Sequence, residues 1–277
     1  MIKVYQLGWF STGRGKGSRG LLKAVHDSIE SGETEAEIAF AFCSRERGET
    51  EPTDIFLRMV EDYRIPLVTF SYQKYRAKVG GSSGGSGEVW PSWRLDYDRE
   101  VMARLRDFKP DLCVLAGYML IVGPEMCQKY DMINLHPAAP GGPAGTWQEV
   151  IWKLIDTGAE ATGAMMHLVT PELDKGPVVT YCTFSIRGAP FDRNWSEIKG
   201  KSVAQIKQQE GEENALFRLI RQHGMVRELL LIITTIQSFS QGRVKITPGK
   251  QVIDAQGRQI HGYDLTAEIN EKVRGSV

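Results

Sequence analysis

Apolar runs of strand length, separated by amphipathic stretches of helical period, constrain this chain more than any other feature. The runs span residues 2–10, 36–44, 66–71, 111–117 and 132–137, with helical patterns over 19–31, 53–64 and 96–108 between them. Strands that are apolar at successive positions belong in a sheet covered on both faces. Their alternation with helices specifies an α/β fold with a doubly wound, mostly parallel sheet. In 96–108, Tyr97, Val101, Leu105 and Phe108 share one helix face, and Asp96 stands where an N-cap belongs.

The texture changes after residue 146. A helix over 146–158, ending near Gly158, carries Trp147, Val150, Ile151, Leu154 and Ile155 at helical spacing. Two longer strands follow, over 162–170 and 176–186, joined by the short connection Pro-Glu-Leu-Asp-Lys. So short a link predicts antiparallel pairing, which brings antiparallel strands into the C-terminal half of the sheet. A helical region over about 202–239 is expected to break at Gly211 and Gly224. Short strands, with a turn at Ala255–Gly257, close the chain. Residues 77–93 are rich in Gly and Ser and read as a flexible insertion, whose Trp90 and Trp93 are candidates to fold over a ligand. A second insertion is expected over about 186–200.

Charge and cysteine usage exclude some functions. Lys+Arg and Asp+Glu both number 34, so there is no basic excess of the kind that nucleic acid selects. The four cysteines form no C-x-x-C pair, and neither a zinc knot nor a redox motif is expected. The first residues lack the form of a signal peptide, and the apolar run at 229–236 is too short to span a bilayer. The expectation is a cytoplasmic protein without metal, membrane or nucleic-acid partner.

Ligands of open α/β sheets bind outside the carboxyl ends of the strands, and three segments converge there. Ser-Thr-Gly-Arg-Gly-Lys-Gly-Ser-Arg-Gly (11–20) follows the first strand and opens the first helix, with exposed amides and positive charge suited to an anion. A flexible basic loop is the bland alternative. Asn134 and His136 lie two apart in a strand and so face the same side, unless His136 simply caps the strand end. Asp174 follows in a hairpin connection, where a lone aspartate often serves as a turn former, and His167 inside a strand reads as a core histidine with a hydrogen-bond partner. An amide donor, a histidine and a carboxylate together suggest acyl or formyl transfer through a tetrahedral intermediate. No serine or cysteine stands in a nucleophile elbow, so an amine or water would attack.

Asn-x-His-Pro followed by His167-Leu-Val-Thr-Pro-Glu-Leu-Asp-Lys-Gly-Pro-Val178 resembles the 10-formyltetrahydrofolate-dependent formyltransferases. Within them the chain is most similar to the glycinamide ribonucleotide (GAR) transformylases of purine synthesis. The resemblance implies a Rossmann-like formyltransferase domain over 1–277, with a phosphate- and nucleotide-binding half (1–130) and a catalytic and folate-binding half (131–277). It implies that His136 and Asn134 meet the oxyanion forming on the formyl group and that Asp174 holds His136 and assists proton transfer. Tyr118, Met119, Leu120, Ile121 and Val122 match the segment that cradles the pterin, and Arg94 an arginine near the folate tail. Gly17, Ser18 and Arg19 match the phosphate loop, and Glu213 a glutamate that contacts the ribose. The donor implied is 10-formyltetrahydrofolate and the acceptor a small phosphorylated amine, GAR first, with a monomer and a homodimer both open.

The chain departs from the family at Arg19, where asparagine is usual, at Leu120, which replaces an arginine, and in the small-residue stretch 137–145. Those departures keep other phosphorylated amines, including amino sugar nucleotides, in view as acceptors. Hydrolysis of formyl-tetrahydrofolate and a non-catalytic folate- or nucleotide-binding module are the further alternatives.

Overall fold

A computed structural model describes residues 4–80 and 91–275. The first half of the chain forms β1 (Tyr5–Ser11), α1 (Lys16–Glu30), β2 (Ala36–Cys43), α2 (Glu51–Asp62), β3 (Leu67–Thr69), α3 (Tyr72–Lys78), α4 (Ser92–Arg104), β4 (Leu112–Leu115) and α5 (Pro124–Lys129). It continues through β5 (Met132–His136), α6 (Trp147–Asp156), β6 (Ala161–Leu168), β7 (Val178–Ser185), α7 (Asp192–Glu197) and α8 (Val203–Gln209). After a 3-10 turn at Gly211–Glu213 come α9 (Ala215–Ser240), β8 (Val244–Ile246), β9 (Val252–Asp254), β10 (Tyr263–Asp264) and α10 (Thr266–Gly275).

The main sheet runs β10-β7-β6-β5-β4-β1-β2-β3. Strands β1 to β5 pair in parallel, β6 is antiparallel to both β5 and β7, and β10 returns parallel to β7. The doubly wound, mostly parallel sheet with antiparallel strands in the C-terminal half is therefore the architecture observed. Alternation along each strand explains its unbroken apolar character. Leu7 and Trp9, Ile38 and Ala41, Leu112 and Val114 enter one core; Phe10, Phe40, Phe42, Cys113 and Leu115 enter the core on the opposite face. A third cluster joins α6, α7, α8 and the start of α9.

Several expectations need correcting. Helix α4 begins at Ser92 with Pro91 before it, so Asp96 is not an N-cap but pairs with Arg99 at 2.8 Å. Trp93 belongs to that helix and packs on the Tyr72 ring at 5.5 Å, so it is part of the α3–α4 contact rather than a flap; Trp90 lies outside the described residues. Gly211, at φ 55°, does end a helical stretch, but Gly224 sits inside the unbroken α9. The buried residues of α9 outweigh the ~1 kcal/mol that one glycine costs a helix. Helices α3, α7 and α10 have no counterpart in the periodicity; the first two are too short to show one. No described helix is long and apolar enough to cross a membrane.

Candidate active site

Strand β5 is the hinge between the parallel and antiparallel parts of the sheet. Its pairing with β6 sets Asn134 opposite His167 and His136 opposite Met165. A register shift at Met166/His167 on the β7 side re-aims His167. Asn134 Nδ2 donates to His167 Nε2 at 3.1 Å, and His167 Nδ1 donates to the Leu168 carbonyl at 3.0 Å. With Nδ1 protonated, Nε2 accepts from Asn134 when it carries no proton of its own and donates to Asp174 when it does. His136 is buried and donates from Nε2 to the Pro143 carbonyl at 2.9 Å.

Asp174 completes the group from the β6–β7 connection. Its Oδ2 lies 3.7 Å from His136 Nδ1 and its Oδ1 3.5 Å from His167 Nε2. The hydrogen bond with His167 holds its carboxyl below the usual carboxylate range, against the opposing effect of burial; His136 and the Gly145 amide add to the lowering. Asp174 adopts φ 54°, in the left-handed region where aspartate is among the few tolerated side chains. Gly176 makes this connection possible. A Cβ there would stand 1.6 Å from the Leu168 carbonyl oxygen, so only glycine lets the loop return so close to β6.

The segment 118–123, after β4, forms the facing wall. Arg94 and Asp98 on α4 make a buried ion pair at 2.5 Å. Arg94 also donates to the Ile121 carbonyl, and Asp98 accepts from the Gly123 amide at 2.7 Å. Burial pushes the Asp98 carboxyl up, with the Arg94 charge opposing. Met119 is tied from its amide to Thr12 Oγ1 at 2.9 Å. Between the two walls lies a cleft of about 50 Å³ lined by Tyr118, Leu120, Ile121 and Val122 on one side and Asn134, His167 and Asp174 on the other. Chemically it offers an apolar slot whose end carries an amide donor, an imidazole and a carboxylate.

The formyl transferase family model matches residues 15–188. The chain belongs to the formyl transferase family. It is 26% identical over 172 residues to phosphoribosylglycinamide formyltransferase of Escherichia coli K12, a match covering 61% of this chain and 68% of that one. It is 30% identical over 88 residues to formyltetrahydrofolate deformylase of Haemophilus influenzae, 31% of each chain. The fold is shared with the Coxiella burnetii phosphoribosylglycinamide formyltransferase structure at TM-score 0.66 and 19% identity, covering 95% of this chain and 99% of that one.

In this formyl transferase Asn134, His136 and Asp174 come together, but they do not share one surface. Asn134 and Asp174 line the cleft, whereas His136 lies beneath Pro143. The histidine that lines the cleft is His167, read from sequence as a core residue. Its partners are the site residues themselves, a fact that only the β5–β6 register reveals.

The remaining positions divide. Met119 is exposed at the rim of the 118–122 wall. Arg94 is buried under that wall as its clamp. Gly17, Ser18 and Arg19 lie in the first turn of α1, whose N-cap Gly15 provides no side-chain bond. Ser18 is buried and donates to the Gly15 carbonyl, and Arg19 donates to the Pro52 carbonyl at 3.2 Å. Glu213 is exposed, pairs with Arg218 at 2.8 Å and does not line the cleft. Among the described residues no group of three or more His, Cys, Asp or Glu is arranged to hold a metal ion.

Proposed function

We propose that this formyl transferase moves a formyl group from 10-formyltetrahydrofolate to the primary amine of a small phosphorylated acceptor, with GAR the first acceptor to test. The observation that carries the reading is the single cleft between segment 118–122 and the Asn134–His167–Asp174 cluster, with His136 directly behind Asp174. Apolar walls with polar groups at one end suit a flat heteroaromatic ring whose reactive substituent points at those groups. Widening of the 118–122 wall accompanies binding in this reading, since the cleft is narrow.

The donor supplies a carbonyl carbon that an amine can attack, with negative charge growing on the formyl oxygen. Asn134 keeps a second amide N–H for that oxygen beyond the one given to His167. His136 supplies another donor when its Nε2–H moves from the Pro143 carbonyl, which it now serves, to that oxygen. Asp174, held ionised, takes the proton that the amine sheds, through water, and returns it to the departing nitrogen. The C–N bond to the amine forms, the bond to the donor nitrogen breaks, and the proton count closes. In this scheme residues 1–130 supply the acceptor's phosphate contacts and 131–277 the catalytic groups.

Hydrolysis would use the same cluster with water as nucleophile, as the deformylase relative's name suggests for that protein. Absorbance of the folate product, followed with and without GAR, tests the reading. Turnover that requires GAR supports it. GAR-independent loss of the formyl group supports the hydrolase, and no turnover with either rejects GAR as acceptor.

A further inference from the structure

The 118–122 wall over the active-site cleft is held at its two ends and at one point between them, and the three holds are not equally strong. At the near end Gly117, at φ 70°, accepts the Thr12 amide on its carbonyl at 3.0 Å. A Cβ at Gly117 would stand 3.0 Å from the Ser18 Cβ, so the chain there rests on the first turn of α1. At the far end Arg94 grips the Ile121 carbonyl, and Asp98, its ion-pair partner, grips the Gly123 amide. Between the ends the Met119 amide donates to Thr12 Oγ1 at 2.9 Å. The bonds from Arg94 and Asp98 involve charged groups and are the stronger kind; the Met119 bond joins two neutral groups.

Thr12 is fixed to make that bond. It is 5% exposed, and the hydroxyl of Ser44, just past the end of β2, lies 3.1 Å from its own. With the Thr12 O–H given to Ser44, its oxygen still accepts from Met119, and the side chain is held from both sides. The Met119 side chain is 55% exposed, so its amide rather than its packing ties the wall at this point. The next residue, Leu120, separates two spaces and lines both. One is the active-site cleft of about 50 Å³; the other, on the side of Thr12 and Ser44, has a volume of about 480 Å³. Small-molecule sites usually have about 300–1,000 Å³, so the first space alone is too small for a fused heteroaromatic ring.

We propose that Thr12 is a positioning residue for the formyl donor: its hydroxyl latches the wall shut in the empty protein, and release of the Met119 amide lets Leu120 move aside so that the two spaces open into one. The identity of the ligand rests on the formyl-transfer reading. Gly117 at one end and Ile121 to Gly123 at the other stay fixed, and the segment between them bows outward. A ligand's apparent affinity rises with the fraction of protein already in the form that binds it. Without the latch, the closed form also leaves the Met119 amide without its acceptor, which favours the open form further. Removing the Thr12 hydroxyl therefore strengthens donor binding, the opposite of what losing a ligand contact or loosening the fold would do.

Amide hydrogen exchange of the full chain, with and without a dideaza analogue of 10-formyltetrahydrofolate, reads the latch directly. The Met119 amide should be protected in the free protein and should exchange about tenfold faster once the analogue is bound. In stopped-flow binding, Thr12→Val should take up the analogue about fivefold faster than the wild type and hold it more tightly, whereas Thr12→Ser, which keeps the hydroxyl, should match the wild type. In turnover, Thr12→Val should lower KM for the donor without raising kcat. Met119 protection that is kept or increased in the complex, or a Thr12→Val chain that binds no faster than the wild type, would overturn the proposal. The exchange measurement needs no variant, so it decides the matter even where Thr12→Val fails to fold. No binding of the analogue to the wild-type protein would overturn the formyl-transfer reading itself, and this inference with it.

Discussion

Asp174 Oδ1 lies 3.5 Å from Nε2 of His167, a residue on the strand that feeds the aspartate's own loop. His167 is therefore positioned to orient both the carboxylate and, through its bond with Asn134, the amide donor.

That relationship separates the two histidines experimentally. Removing one donor to a developing oxyanion typically lowers turnover by about 100- to 1000-fold. His136→Ala should show a loss of that size in kcat with little change in KM. His167→Ala should also lower kcat, and it should shift the acid limb of the pH profile because the carboxylate loses its principal hydrogen bond. A wild-type kcat in either variant would remove that histidine from the scheme.

The ionised state of Asp174 makes a prediction about stability against pH. A carboxyl whose folded pKa is depressed contributes stability that is present above its unfolded pKa and lost as pH falls through the folded one. The stability difference between wild type and Asp174→Asn should thus be flat from neutrality down to about pH 4, near the unfolded value, and should shrink only below it. Urea melts at stepped pH measure this. A difference that vanishes well above pH 5 would contradict the depressed carboxyl.

The Arg94–Asp98 pair predicts an asymmetry. Arg94→Ala strands a buried carboxylate and should cost ~3–5 kcal/mol, whereas replacing both partners by apolar residues of similar volume should cost much less. Chemical denaturation of the single and double variants reads the difference. Donor affinity should fall with the single variant, because the clamp on Ile121 is lost and Asp98, which holds the Gly123 amide, loses its partner.

Gly176 admits no side chain. A methyl group at that position would overlap the Leu168 carbonyl, so Gly176→Ala should destabilise the chain by at least ~3 kcal/mol and lower activity by displacing Asp174. Near-wild-type melting and turnover together would show that the loop can sit elsewhere.

The thiols should play no part in turnover. Burial pushes Cys43 up to about 12 and Cys182 up to about 11. Iodoacetamide at neutral pH should leave the rate unchanged. Rapid inactivation would point to a thiolate in the chemistry.

How much of this was legible in the sequence depended on the range of the interaction. The β-strands announced themselves because each buries both faces, as Leu7 and Trp9 against Phe10 illustrate. Asn134 and His136 were legible through strand parity and motif. His167 was not, because its role follows from which residue of β6 stands opposite Asn134, and pairing register across a 33-residue separation leaves no local mark. The buried pairing of Arg94 with Asp98 was not legible, since a guanidinium looks the same in sequence whether it meets solvent or a carboxylate on the next turn. The start of α4 was misplaced at Asp96 because the helix continues back through Trp93, whose packing on Tyr72 is tertiary.

The stretch over His136 and Asp174 has one more consequence. Its grip on the two residues comes from the Pro143 carbonyl and the Gly145 amide, not from side chains. Replacing its side chains one at a time by alanine would leave those groups in place, and such a survey would score the segment as dispensable. Its contribution becomes visible only when the main chain itself is changed, by insertion, deletion or an ester in place of the Gly145 amide. Divergence of sequence in this loop is therefore a poor guide to divergence of chemistry beneath it.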